Sequence, residues 1–221
     1  MSTITHELSN AVQDYLKAIY ALESAGMPAT TSAVAERMAV AAPSATAMLK
    51  RLDELQLVER LPYHGVVLTE AGRRCALEVV RHHRLLERYL ADTLGMTLAE
   101  VHAEAERLEH ALSEQLEARI DEALGFPTHD PHGDPIPDRE LRIVAGPVRA
   151  LADLAPGDRS TVSRVPGGDA ELLRYLSDLA LVPGAEVELT AIAPSGGPLS
   201  VRTGTGDHAI TRELAASIDV D

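Results

Sequence analysis

Between Thr97 and Gly125 the chain carries two stripes on what reads as a single helix, LAEVHAEAERLEHALSEQLEARIDEAL. Val101, Ala105, Leu108, Leu112, Leu116 and Ile120 recur at helical spacing and demand burial against another helix. Beside them His102, Glu106, Glu109 and His110 stand at offsets of 0, 4, 7 and 8. At about 3.6 residues per turn, two carboxylates and two imidazoles then project from one side. The preceding helical run, EAGRRCALEVVRHHRLLERYLADTL, follows Thr69, ends at Gly95, and places His83 and Glu87 four residues apart. An antiparallel pair of such helices buries the apolar stripe in a core or dimer interface and encloses a divalent-metal site. Imidazole and carboxylate without thiolate favour manganese, iron, cobalt or zinc.

The 221-residue length accommodates two small domains, or one with an appendage. Hydrophobic residues at 45% supply a core, and with one Phe and no Trp it must be filled by Leu, Val, Ala and Ile. Cys75 stands alone, which excludes an intrachain disulfide or zinc knuckle and makes it a small buried hydrophobe. The net charge of −14 argues at first against nucleic acid, but it is unevenly spread. Residues 1–76 hold seven Lys/Arg against eight Asp/Glu, residues 77–125 five against eleven, and residues 126–221 eight against fifteen. The acidity lies where cations would bind, and the near-neutral first third can present a basic face to DNA. No apolar stretch approaches bilayer length and MSTITHELSN lacks a signal-peptide pattern, so a cytoplasmic location without a membrane partner is expected.

In the first third, Val12, Tyr15, Leu16, Ile19, Tyr20 and Leu22 give Glu7–Ser24 a helical period. A turn at Gly26–Pro28 follows, and Thr30-Thr31-Ser32 caps a short helix, SAVAERMAV. Ala42-Pro43-Ser44 opens a third helix, reaching about Leu55, with Pro where its missing N–H costs nothing. Ala45, Leu49 and Leu52 mark its inner face; Ser44, Ala47 and Arg51, flanked by Thr46 and Lys50, mark the outer one. Small residues early and cations late suit a recognition helix, because the backbone approaches the groove while Lys50 and Arg51 reach phosphates. Leu57–Leu61 and Val66–Thr69 then alternate as strands around a turn at Pro62–Gly65. Three helices and a hairpin in this order make a winged helix-turn-helix.

After Gly125, FPTHDPHGDPIPDRE reads as an ordered, irregular linker, with His129 and His132 read first as packing or surface residues and second as metal ligands. From about Ala145 short strands are expected at STVSRV, AEVELTAI, LSVRT and around HAITRELAASIDV, with one helix, DAELLRYLSDLAL, among them. The expected division is 1–75 for the winged helix-turn-helix, 76–144 for the helical metal-binding and dimerisation region with its linker, and 145–221 for a small β-barrel. The fold class is mainly α with a small β component.

The segments QDYLKAIYALE, AERM…PSATAMLKRLDELQLV, GVVLTEAGRR, RHHRLLERYL, EVHAEAERLEHALSEQLEARI and DPHGDPIP together resemble the diphtheria-toxin-repressor and manganese-regulator family of metal-dependent transcriptional repressors. The resemblance covers residues 8–140 strongly and the remainder weakly, and it implies an SH3-like C-terminal barrel close to a ferrous-transport accessory domain. It implies a primary metal site on Asp14, Glu106, Glu109 and His110. Iron-sensing members carry Met and Cys where this chain has Asp14 and Glu106; oxygen in place of sulfur hardens the site and points to Mn(II) over Fe(II). An ancillary site falls on His83, Glu87 and His102, completed from the barrel by Asp169 or Glu171. Compact manganese regulators carry a second carboxylate where this chain has Lys17, so two separated sites per subunit are expected rather than one bridged pair. The candidate DNA-facing set is Thr31, Ser32, Ala41, Pro43, Ser44, Thr46, Ala47, Lys50 and Arg51. Ala41 and Ala47 replace polar contact residues of the family, which leaves more of the recognition to shape and methyl contacts.

The resulting expectation is a manganese-dependent, homodimeric repressor of double-stranded operator DNA that controls metal homeostasis, without a small-molecule substrate. An iron-dependent repressor is the near alternative. A di-metal hydrolase or oxidase is the distant one, since no nucleophile motif is present and the DNA-binding head would lack a purpose. A helical region answering to a partner instead of a metal would leave DNA affinity unchanged by chelation.

Overall fold

A computed structural model of the chain describes residues 8–62, 64–144 and 146–221. Glu7, Tyr63 and Ala145, which the expected elements include, lie outside the described residues. The chain forms two compact units: Met1–His82 with Glu109–Ala111 and Pro137–Arg142, and His83–Leu108 with Leu112–Ile136 and Ile143–Asp221.

The first unit is built as its apolar periods require. Helices α1 (Asn10–Ser24), α2 (Thr31–Arg37) and α3 (Ala42–Glu54) precede an antiparallel hairpin of β1 (Val58–Leu61) and β2 (Gly65–Leu68), and α4 (Glu70–Leu94) follows. Leu16, Ile19, Val34, Ala45, Leu49, Leu52 and Val66 fill the core, with Cys75 buried beside them. The Thr30 hydroxyl accepts from Ala33 N at 3.1 Å, which caps α2. On the opposite side of α3 from its buried residues, Ala41, Pro43, Ser44, Thr46, Ala47, Lys50 and Arg51 are exposed. On α2, Ser32 is exposed and Thr31 half-buried. Glu23, near the end of α1, accepts from Leu68 N of the wing at 2.8 Å and pairs with Arg73 of α4.

The hairpin meets the loop before α2 through Val66 N, which donates to Ala29 O at 3.1 Å. That approach depends on Gly65, whose φ is +89° and where a Cβ would lie 2.2 Å from Ala29 O. Gly65→Ala is expected to lower the stability of this unit by about 2 kcal/mol, from left-handed strain and the backbone shift the side chain forces. Thermal melting checks it, and a change within experimental scatter would show that the wing docks differently.

The second unit holds the later part of α4, then α5 (Leu98–Leu108) and α6 (Glu114–Ala123), around Leu85, Leu86, Ala105, Leu112, Ile120 and Ile136. Here the single-helix expectation for the Thr97–Gly125 run is corrected. At Leu108 the backbone tightens into a 3-10 turn, Glu109–Ala111, and Leu112 is extended (φ −72°, ψ 116°). Ser113 then caps α6 by accepting from Leu116 N at 3.3 Å. A 3-10 turn advances about 120° per residue against about 100° in an α-helix, so the stripe is not continued in phase: Leu112 and Ile120 stay buried while other members do not. Leu108 and Leu116, expected on the buried side, are exposed.

The last third of the chain is an antiparallel sheet with strand order β3-β8-β4-β5-β6-β7: β3 (Arg149–Ala150), β4 (Arg159–Arg164), β5 (Glu186–Ile192), β6 (Leu199–Thr203), β7 (Gly206–Ile210) and β8 (Asp219–Val220). It closes over Leu151, Val162, Leu173, Leu176, Leu189, Leu199, Ile210 and Ile218, and α7 (Ala170–Asp178) contributes two of these. The end of the chain departs from the expected strand: a short helix α8 (Arg212–Ala216), capped by Thr211, separates β7 from β8.

Candidate metal centres

The break at Leu108 sorts the expected ligands into different groups. In the first unit, Glu109 and His110 of the 3-10 turn meet Asp14 of α1. His110 Nε2 lies 2.7 Å from Asp14 Oδ1 and 3.7 Å from Glu109 Oε1. One ligand atom from each of the three lies within 4.8 Å of the others. Glu109 is buried, His110 nearly so, and Asp14 half-exposed, which leaves a side open to solvent.

The tautomer of His110 follows from a residue that sequence reasoning missed. Gln13 Nε2 donates to Leu8 O at 3.3 Å, so its amide oxygen faces His110 Nδ1, 2.6 Å away. With Nδ1 carrying a proton, Nε2 is the nitrogen left to serve an ion beside Asp14 Oδ1, and without an ion Nε2–H donates to that carboxylate. His82 braces the same turn, with Nδ1 lying 3.2 Å from Glu109 O. Its signal was its place beside His83, which masked it as a spare histidine. Lys17, one turn along α1 from Asp14, lies 2.9 and 2.8 Å from the two Glu109 carboxylate oxygens.

In the second unit, α4 and α5 bring His83, Glu87 and His102 together. Glu87 Oε1 lies 2.9 Å from His83 Nε2 and 3.0 Å from His102 Nδ1, and the two ring nitrogens are 3.1 Å apart. Donors bound at about 2.0–2.2 Å to one ion lie roughly 3–3.5 Å from each other, so this spacing fits a divalent transition metal. Glu106 stays on α5 with His102, 3.7 Å from its Nε2, and is exposed.

The other oxygen of Glu87 leads to residues read from the sequence as packing or surface. His132 Nδ1 lies 3.5 Å from Glu87 Oε2 and 3.8 Å from Asp130 Oδ2, and Glu87, Asp130 and His132 form a further convergent group, all buried. The loop reaches this depth because Asp130 Oδ1 accepts from His132 N and Asp134 N, both at 2.9 Å. Gly133 (φ +91°) then packs where a Cβ would lie 2.0 Å from Ser163 O. His129, by contrast, is exposed and bonds its neighbour Thr128.

Burial alone would raise the Glu87 carboxyl, but hydrogen bonds from His102, His132 and His83 outweigh it and hold Glu87 well below the usual carboxylate range. Burial would lower His132, yet bonds to Asp130 and Glu87 push it up to about 10. Asp130 is raised, chiefly by burial. Asp169 and Glu171 are exposed at the start of α7, and Asp169 Oδ1 caps that helix by accepting from Glu171 N and Leu172 N. Neither joins a convergent group among the described residues. Their loop is close all the same: a Cβ at Gly168 would lie 3.8 Å from His102 Nε2.

Three family models match along the chain. Residues 7–66 match the iron dependent repressor N-terminal DNA binding domain, residues 69–138 the iron dependent repressor metal binding and dimerisation domain, and residues 149–221 the FeoA domain. The iron-dependent repressor IdeR of Mycobacterium tuberculosis (strain ATCC 25618 / H37Rv) is 34% identical over 229 residues, covering 98% of this chain and 99% of that one. The diphtheria toxin repressor of Corynebacterium diphtheriae is 34% identical over 225 residues, covering 97% and 98%. Among solved structures, a manganese-dependent transcriptional repressor in complex with manganese superposes with a TM-score of 0.86 at 38% identity, covering 95% of this chain and 98% of that one. The manganese regulator SloR gives 0.78 at 30%, covering 95% and 97%.

Proposed function

Since the chain belongs to the iron-dependent repressor family, and is thereby a metal-dependent, dimeric repressor of operator DNA, we propose that Mn(II) is the ion to which it responds. The family consists of DNA-binding regulators, not enzymes, which sets aside the hydrolase and oxidase alternative.

The observation that carries the manganese reading is the donor set around His110: two carboxylates and one imidazole, with no sulfur. Oxygen-rich sites suit Mn(II), the weakest binder of the first-row series, better than they discriminate for softer ions. In this reading Asp14, Glu109 and His110 hold one ion, with Glu106 as a further ligand. His83, Glu87 and His102 hold a second, for which Asp130 and His132 are alternative donors around the same Glu87. Asp169, with one oxygen capping α7, would offer the other, or Glu171 would serve in its place.

A bound divalent ion supplies the positive charge that the clustered carboxylates lack. The protein's own part is to hold the donors: Gln13 sets the His110 tautomer, and His82 braces the turn on which Glu109 and His110 stand. Asp14 ties this turn to the helix that opens the head. The DNA-facing set is the exposed side of α3 with Thr31 and Ser32 of α2. Residues 1–75, 76–144 and 145–221 are the proposed divisions for DNA binding, metal binding with dimerisation, and the barrel, and a cytoplasmic site of action follows from the work on DNA.

Operator binding measured against Mn(II), Fe(II) and Zn(II), with a chelator control, tests the reading. Mn(II) is expected to raise affinity at the lowest free concentration, and chelation to abolish the effect. Glu106→Cys is expected to move the response towards Fe(II). A wild-type response stronger to Fe(II) than to Mn(II) would replace manganese by iron.

A further inference from the structure

We propose that Lys17 is a built-in competitor for the ion at the Asp14–Glu109–His110 centre, and that its ammonium sets the free-metal concentration at which the protein responds. The proposal rests on that centre being the metal site. Lys17 Nζ lies 2.9 Å from Glu109 Oε1 and 2.8 Å from Oε2, so both oxygens of a ligand carboxylate already face a cation. Glu109 is 2% exposed and Lys17 22%, which limits how much solvent screens the pair. An incoming divalent ion needs at least one of those oxygens. It must either displace the ammonium or bind with a positive charge only one carboxylate away, and both routes weaken binding.

The arrangement suits a sensor. Lys17 stands one turn from Asp14 on α1, so α1 brings both a ligand and a competitor to the same turn. Without metal the ammonium keeps the buried Glu109 carboxylate neutralised and in place, which avoids an unpaired buried charge. With metal, the flexible lysine stem lets the charge withdraw towards solvent. Such a device lowers affinity without altering a ligand, which matters where the ion must be sensed at the level the cell tolerates rather than scavenged.

The test is Mn(II) binding to the full-length dimer, followed by the electron paramagnetic resonance signal of free Mn(II) and by calorimetry. It compares the wild type with Lys17→Met, Lys17→Gln and Lys17→Arg. The event lost in Asp14→Ala identifies the centre in the isotherm. Lys17→Met and Lys17→Gln are expected to tighten that event at least about tenfold, because both remove the charge and Gln keeps a hydrogen-bond donor. Lys17→Arg is expected to match the wild type or bind more weakly. Unchanged or weaker binding in Lys17→Gln, or tighter binding in Lys17→Arg, would overturn the competitor role. If Asp14→Ala loses no binding event, the reading of the centre itself fails, independently of Lys17. Should Lys17→Met unfold, because the buried Glu109 loses its ammonium, Lys17→Gln decides the matter.

Discussion

His110→Ala is expected to abolish metal-stimulated operator binding, a loss of about a hundredfold or more, while the protein remains a folded dimer. Removing an outer partner of a metal ligand typically costs about 10–100-fold in affinity, and His110 is the proposed ligand itself. Its Nε2 faces Asp14 Oδ1 across 2.7 Å, and its Nδ1 is already committed to Gln13. Alanine leaves Asp14 with no imidazole to share an ion and removes the imidazole beside Glu109. The apolar cores of both units lie elsewhere, so their melting should change little. Operator titration with and without Mn(II), beside size-exclusion chromatography, reads both halves. A variant that still binds the operator as tightly as the wild type when Mn(II) is added would remove His110 from the centre.

Glu87→Ala is expected to produce the largest loss of stability, about 3–5 kcal/mol in the second unit, together with loss of one bound ion per subunit. Glu87 is buried, and its two oxygens serve His83 and His102 on one side and His132 on the other. Without it, His132 remains buried with only Asp130 beside Nδ1 and Leu98 O beside Nε2. Glu87→Gln keeps the volume but not the charge, and should fall between the variant and the wild type. Chemical denaturation of the metal-free proteins measures the first effect and Mn(II) stoichiometry the second. Melting of Glu87→Ala within about 1 kcal/mol of the wild type would show that the histidines find other partners.

Much of the first unit was legible because its signals are local. The apolar period of α1, the Thr30 cap, Pro43 at the start of α3 and the turn before Gly65 each act over a few residues, and the elements fall within a few residues of where those signals put them. The interruption after Leu108 was not legible in the same way. Ala, Glu, Leu and Arg run through the whole segment and favour helix everywhere, so propensity offers no reason to stop. The one cue is Ser113, followed by Glu114 and Glu117, a cap that began a new helix inside an apparent old one. The candidate ligands were picked out by type; helical spacing alone set His102 and His110 on one stripe, whereas the resemblance assigned them to separate sites, and among the described residues they fall in different groups. His132 was ranked first as packing or surface, with ligation second, for a different reason. Its burial comes from Gly133 seating under Ser163, thirty residues away, and no local pattern reports such a contact. In α8, Thr211 accepting from Leu214 N was a readable cap, hidden because the flanking residues alternate like a strand.

The bond from Leu68 N to Glu23 gives α1 a second office. Asp14 and Glu23 are separated by about 13 Å of one rigid helix at roughly 1.5 Å per residue. Glu23 in turn contacts the hairpin strand through Leu68 N and α4 through Arg73. One rigid helix therefore carries a candidate ion ligand near its start and a wing contact near its end. Were the proposed ion bound at Asp14, Glu23→Ala is expected to keep that binding while weakening its effect on operator affinity, as paired metal and operator titrations would read.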